Sequence, residues 1–214
     1  MAEVQDPRFR NANVLRMFPS FVWKAETAPE IHRPLNDAIV RNLGAMGAPL
    51  ADLAVSESWQ SDPGLHALAE FRDLVELIDA AAGHLLDHLE IIRQGVQITG
   101  CWANVSAPGG RHDTHAHPNN YVSGVYYVRT QEGADTINFH DPRSQVGIIR
   151  PPVRELCAEI ADLVVVKVND GGLLLFPAWL QHSVDVNRSR NVRISVSFNL
   201  MFSAYAETMS APSW

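Results

Sequence analysis

The segment Arg193-Ile194-Ser195-Val196-Ser197-Phe198-Asn199-Leu200 alternates without a lapse, every odd position polar and every even one apolar. Side chains of an extended strand point to opposite faces in turn, so such a segment needs apolar cover on one side only. Two arrangements satisfy it. Either the odd set faces bulk water on an ordinary two-sided sheet, or it lines a wet cavity in a barrel-like fold. In the second case Ile194, Val196, Phe198 and Leu200 pack outward beneath helices.

The surrounding sequence defines the architecture that must hold this strand. After Gln94-Gly95 the texture is β: Val96 to Ser106, Tyr121 to Arg129, Thr136 to Phe139, Leu163 to Val168, Gly172 to Phe176 and Arg193 to Phe202 read as strands separated by Pro, Gly, Asn and Asp clusters. The first half is different. Thr27-Ala28-Pro29-Glu30 has the pattern of a helix start, with Thr27 as N-cap and Glu30 as its capping-box partner, for a helix ending near Gly44 or Gly47. From Leu65, the residues Leu68, Phe71, Val75, Ile78, Ala82, Leu85 and Leu89 recur at helical spacing and predict a second helix laid over a sheet. One short strand or two is expected between Asn13 and Lys24, and a loop anchored by Trp59 over Ser56 to Gly64. Strands that follow helices without βαβ alternation make a mainly β fold with flanking helices. The expected form is a double-stranded β-helix, a cupin-like jelly roll packed by N-terminal helices. We expect one domain over 1–214, with 1–95 as N-terminal strand and helical support and 96–214 as the jelly-roll core.

Composition narrows the function classes. Among 214 residues the formal charge is −7, which disfavours general binding to nucleic acid or an anionic membrane surface. No apolar run approaches the length of a bilayer span, and Met1 to Asp6 lack the basic, then apolar, character of a secretion signal. Two cysteines, Cys101 and Cys157, give neither a disulfide framework nor a CxxC metal site. A cytoplasmic setting is expected. The apolar helix face would also let two copies pair as a homodimer.

Arg111-His112-Asp113-Thr114-His115-Ala116-His117-Pro118 carries the chemistry. Strand alternation puts Asp113, His115 and His117 on one side and His112 on the other, where it caps or is solvated. Asp113 and His117 are roughly 13 Å apart along an extended strand, too far to share one ion without a turn. The pair is therefore His115 with His117 or Asp113 with His115. His182, from a distant segment, is the candidate third ligand for a facial metal site with open positions, the geometry of non-haem Fe(II) oxygenases. His84 and His88 are one helical turn apart but have no further ligands nearby and read as surface residues. His140 has no motif around it. Asp141-Pro142-Arg143 reads as a turn after a strand, and Trp179 as a packing anchor for the turn before His182.

Residues 109–127, GGRHDTHAHPNNYVSGVYY, and 171–199, GGLLLFPAWLQHSVDVNRSRNVRISVSFN, together resemble the Fe(II)- and 2-oxoglutarate-dependent oxygenases. The closer likeness is to a bacterial and phage family with HxH, SGvYY, LLLFPxWLxHsV and RiSxSFN signatures, and the segments RMFPSFVW and SESWQS are similar to it too. The resemblance implies that His115 and His182 are iron ligands and that Arg193 binds the far carboxylate of 2-oxoglutarate through its planar fork. Ser195 would add a hydroxyl, and Asn104, Tyr126 and Tyr127 would line the co-substrate pocket. O2 would take the last iron position.

His117 stands where much of that superfamily has an aspartate or glutamate. Three imidazoles hold the iron, or Asp113 supplies the carboxylate with His117 outside the ligand set. Two other functions share these residues. One is a three-histidine iron dioxygenase in which Arg193 clamps the carboxylate of the substrate itself. The other is a non-catalytic cupin-like module with a structural or sensory metal such as zinc, which would need a closed set of four protein ligands.

Overall fold

The computed structural model describes residues 8, 10, 13–143, 148, 151–157 and 159–206. In chain order these contain the strands β1 (Trp23–Glu26), β2 (Ser58–Gln60), β3 (Val96–Ser106), β4 (His112–His115), β5 (Val122–Arg129), β6 (Thr136–His140), β7 (Leu163–Lys167), β8 (Gly172–Pro177), β9 (His182–Val184) and β10 (Arg193–Phe202). The α-helices are α1 (Pro29–Ala45), α2 (Arg72–His88) and the single turn α3 (Ser203–Ala206).

Two antiparallel sheets form a sandwich. The larger runs β1-β8-β5-β10-β3-β2 and the smaller β4-β9-β6-β7. β10 lies at the centre of the larger sheet, between β3 and β5. Its even residues Ile194, Val196, Phe198 and Leu200 are buried on the outer face. There they join Ile39 and Leu43 of α1, and Leu74, Ile78 and Leu85 of α2, in one apolar cluster. A second cluster fills part of the space between the sheets, with Tyr127, Ile137, Phe139, Leu174 and Phe176 among its members. Of the two arrangements open to the alternating segment, the chain adopts the jelly roll with polar residues turned inward.

Elements from the first 95 residues also complete the larger sheet, because β1 and β2 are its two edge strands. The sequence left β2 as a loop. Three residues with polar ends carry too weak an alternation to register, yet Trp59 does pack against the outer apolar cluster as expected. β1 begins only at the end of the Asn13 to Lys24 window, at Trp23, and runs past it to Glu26. Pro19 and the left-handed backbone at Phe18, with φ of 54°, precede it. The start of α1 is also not capped as predicted. Thr27 donates its hydroxyl to the carbonyl of Gly171, tying the helix entrance to β8 instead, and Ala28 occupies the N-cap position without a side-chain bond. In front of α2, Leu65–Ala67 and Ala69–Phe71 form short 3-10 turns that bury Leu65 and Phe71 and leave Leu68 exposed.

Close packing of β5 under β10 depends on a missing side chain. A Cβ at Gly124 would collide with the ring of Phe198 and lie 2.9 Å from the carbonyl of Leu174. Gly124 pairs with Phe198 on one side and Leu175 on the other, so neither neighbour moves without disturbing the sheet. Gly124→Ala should therefore lower unfolding free energy by about 1–3 kcal/mol in a urea titration, the usual penalty for overpacking a core. The outer strand residue Val164, which is 46% exposed, should tolerate alanine with a change of less than about 1 kcal/mol.

Candidate functional site

The odd residues of β10 and their partners across β3 and β5 form one wall of a cavity of about 1080 Å³. Arg193 pairs with Ser106, Ser195 with Asn104 and Tyr127, Ser197 with Trp102 and Val125, and Asn199 with Gly100 and Ser123. Residues from β4, β6 and β9 of the smaller sheet form the opposite wall.

Three imidazoles meet in that cavity. One ring nitrogen from each of His115, His117 and His182 lies within 4.8 Å of the others. The ring centroids are 5.1 Å apart for His115 and His117, 4.3 Å for His115 and His182, and 5.2 Å for His117 and His182. Antiparallel pairing brings the first and last of these together, since His115 of β4 is opposite His182 of β9. His117 follows the end of β4 and is fixed by its backbone N–H, which donates to the carbonyl of Ala178.

The rings are oriented as metal ligands require. His115 Nδ1 lies 2.8 Å from the carbonyl oxygen of Asp113, and His182 Nδ1 lies 2.9 Å from that of Leu180. A carbonyl only accepts, so each Nδ1 carries the proton and each Nε2 keeps its lone pair free. Burial lowers the pKa of His117 to about 4. Burial, assisted by the charges of the other histidines and opposed by the Leu180 carbonyl, lowers that of His182 to about 3. Both are neutral at pH 7, which ligation of a cation needs.

Arg193 belongs to the same cavity wall. It is only 4% exposed, and among the described residues it forms no ion pair with a carboxylate. Its Nε and the hydroxyl of Tyr127 are both buried without a hydrogen-bond partner. The guanidinium carbon is 5.3 Å from the centre of the Tyr127 ring. Burial lowers the arginine pKa, and burial raises that of Tyr127 to about 12 although the nearby guanidinium opposes the rise. A buried cation with unused donors is costly unless an anion comes to it. This pair has the form of a carboxylate receptor.

Several sequence expectations are corrected. Asp113, the alternative ligand, stands outside the histidine cluster, with its side chain 83% exposed and paired to Arg111 at 3.1 Å. Tyr126 is not in the pocket. It points to the opposite face of β5, where its hydroxyl donates to Asn36 of α1 at 2.7 Å, and the adjacent Tyr127 is the residue that lines the cavity. His112 does not face away but lines the cavity. The cause is a bulge: the four residues of β4 from His112 to His115 are opposite only three of β9, Val184 to His182, so simple alternation fails and both histidines turn inward. Trp179 is 55% exposed and does not anchor the turn by burial.

Ser195 and Asn104 line the cavity as expected, and Asn104 accepts from Gln60 and donates to Ser197. His84 and His88 are exposed on α2. His140 Nε2 lies 2.9 Å from Ser183 Oγ and 3.2 Å from Thr114 Oγ1, and is outside the metal cluster. Asp141 binds the backbone and side chain of Arg143 and so closes the turn after β6. After this turn, residues 144–147, 149 and 150 lie outside the described residues. Trp102 and Gln60 were missed. Trp102 could have been found by extending the parity of Asn104 back along β3.

Comparison with known proteins agrees with this geometry. Residues 100–199 match the family described as "Putative 2OG-Fe(II) oxygenase", a span that contains all three histidines and Arg193. No curated protein sequence matches the chain. Among solved structures, HygX from Streptomyces hygroscopicus, with nickel and 2-oxoglutarate bound, is 13% identical with a TM-score of 0.58, over 85% of this chain and 82% of that one. A Pseudomonas putida prolyl-4-hydroxylase is 15% identical with a TM-score of 0.58, over 86% and 93%. The carbocyclase SnoK from nogalamycin biosynthesis is 12% identical with a TM-score of 0.62, over 86% and 80%. The matched segment, residues 100–199, is thus similar to the 2OG-Fe(II) oxygenases, and the solved structures share the fold of the whole sandwich.

The two adjacent tyrosines should separate on mutation. Tyr126→Phe leaves Asn36 Oδ1 unpaired in the core and should cost about 1–2 kcal/mol of stability in urea unfolding. It should leave 2-oxoglutarate affinity unchanged, whereas Tyr127→Phe should weaken that affinity with a smaller loss of stability, both read by titration of the metal-loaded protein.

Proposed function

We propose that His115, His117 and His182 hold Fe(II) and that Arg193, with Tyr127 and Ser195, binds the distal carboxylate of 2-oxoglutarate in a hydroxylase acting on a small molecule. The observation that carries this reading is a buried arginine with no carboxylate partner among the described residues, in the same cavity as three clustered imidazoles, two of which, His115 and His182, keep a free Nε2 lone pair. Three neutral ligands leave a facial set of positions open, which suits chelation by a 2-oxo acid together with O2. When bound, these groups supply the oxidation: 2-oxoglutarate and O2 become succinate and CO2, with one oxygen atom inserted into a substrate C–H bond.

The residues of the chain have the remaining work. The Asp113 and Leu180 carbonyls hold two ligand rings in one tautomer. Arg193 sets which end of the co-substrate points away from the metal. Val125, Ile137 and Val184 supply apolar lining that restricts water. Toward the other end of the β10 wall the lining is Asn199, Thr99, Asn120, Trp102 and Asp62, and among the described residues of the cavity Arg193 is the one lysine or arginine. That composition favours a neutral or cationic polar substrate over a second anion. No helix among the described residues is long and apolar enough to cross a membrane, and we place no membrane or nucleic acid among the partners.

Anaerobic addition of Fe(II) and then 2-oxoglutarate should give a visible charge-transfer band. His182→Ala should abolish it with loss of iron binding, and Asp113→Ala should retain it. Iron binding with no band would favour the three-histidine dioxygenase in which Arg193 takes the substrate's own carboxylate.

A further inference from the structure

His112 is the one residue turned into the cavity by the β4 bulge that neither the metal cluster nor the arginine clamp has absorbed. It is opposite Val184, two residues along β9 from His182, so it sits on the same wall as the metal ligands but displaced from them. Its Nε2 is 3.4 Å from Ser106 Oγ, and Ser106 is the direct cross-strand partner of Arg193. The histidine therefore stands at the arginine end of the cavity.

Its hydrogen bonding also has a direction. Ser58 Oγ donates to Ser106 Oγ at 3.3 Å, which leaves the Ser106 proton for His112 Nε2. A neutral imidazole accepting at Nε2 carries its proton on Nδ1. Among the described residues Nδ1 has no protein partner. Burial, and after it the charge of Arg193, push the His112 pKa down to about 4, so the ring is a neutral donor that adds no repulsion to the guanidinium at pH 7.

We propose that His112 is a third protein donor to the distal carboxylate of 2-oxoglutarate, with Nδ1–H completing the receptor begun by Arg193 and the Tyr127 hydroxyl. This rests on the assignment of the cavity as a 2-oxoglutarate site. A carboxylate has about four lone-pair directions, and a guanidinium fork with one phenol leaves at least one of them for a further donor. The Ser58–Ser106–His112 chain is then a positioning device that fixes the tautomer from the edge strand β2.

The test is an anaerobic calorimetric titration of the Mn(II)-loaded full chain with 2-oxoglutarate and, separately, with oxalate, which chelates the metal but has no distal carboxylate. His112→Leu should weaken 2-oxoglutarate binding by about tenfold to a hundredfold, the value of a hydrogen bond to a charged group. Oxalate and Mn(II) affinities should stay within about twofold of wild type. His112→Asn, whose amide nitrogen can stand in for Nδ1, should recover most of the loss. His112→Gln, which reaches the Nε2 position, should not, and this pair serves if the leucine variant fails to fold. Equal losses for oxalate and 2-oxoglutarate, or no loss for either, would overturn the role of His112. Wild-type protein that binds oxalate but not 2-oxoglutarate would instead overturn the co-substrate site itself.

Discussion

The burial of Arg193 with no carboxylate partner among the described residues is the constraint on which the rest of the site depends. A guanidinium inside a β-sandwich costs several kcal/mol unless its charge is answered, and the Tyr127 ring and hydroxyl answer it only in part. The central position of β10, paired on both sides and roofed by α1 and α2, keeps the strand from turning this residue out to water. The stability of the outer apolar cluster thus holds a cation in the cavity that contains the three imidazoles. The polar residues of β10 oppose stability here, and the even residues of the same strand compensate.

The same strand explains why much of the molecule was legible in sequence. Its alternation sorts Ile194, Val196, Phe198 and Leu200 from Arg193, Ser195, Ser197 and Asn199, and both sets are found where parity puts them. β3 and β10 have the expected bounds because long segments bounded by turn residues carry a strong signal. Short elements were harder. β2 and β9 have three residues each, and strands of that length exist through their partners rather than through their own pattern.

At the site, the failures have specific causes. Alternation assigns His112 to the wrong face because a bulge adds one residue to β4, and a bulge is a property of the pair of strands, not of one. Tyr126 and Tyr127 are adjacent and identical in type. Only the register against β10, which puts Tyr127 beside Ser195, decides which one enters the cavity. Asp113 lies outside the histidine cluster, exposed and paired with Arg111, a placement that strand parity alone does not give. In contrast, the association of His115 with His182 needed the 66 residues between them to fold back, and was still reached from the chemistry that two neighbouring histidines lack on their own.

The central claim is that three imidazoles bind the metal while Arg193 receives the far end of 2-oxoglutarate. A crystal structure of the anaerobic protein with Mn(II) and 2-oxoglutarate tests both halves at once. The account predicts one metal bound by Nε2 of His115, His117 and His182, with the distal carboxylate in contact with the guanidinium of Arg193. A protein carboxylate in the metal's coordination sphere, or a co-substrate whose distal carboxylate lies away from Arg193, would contradict it.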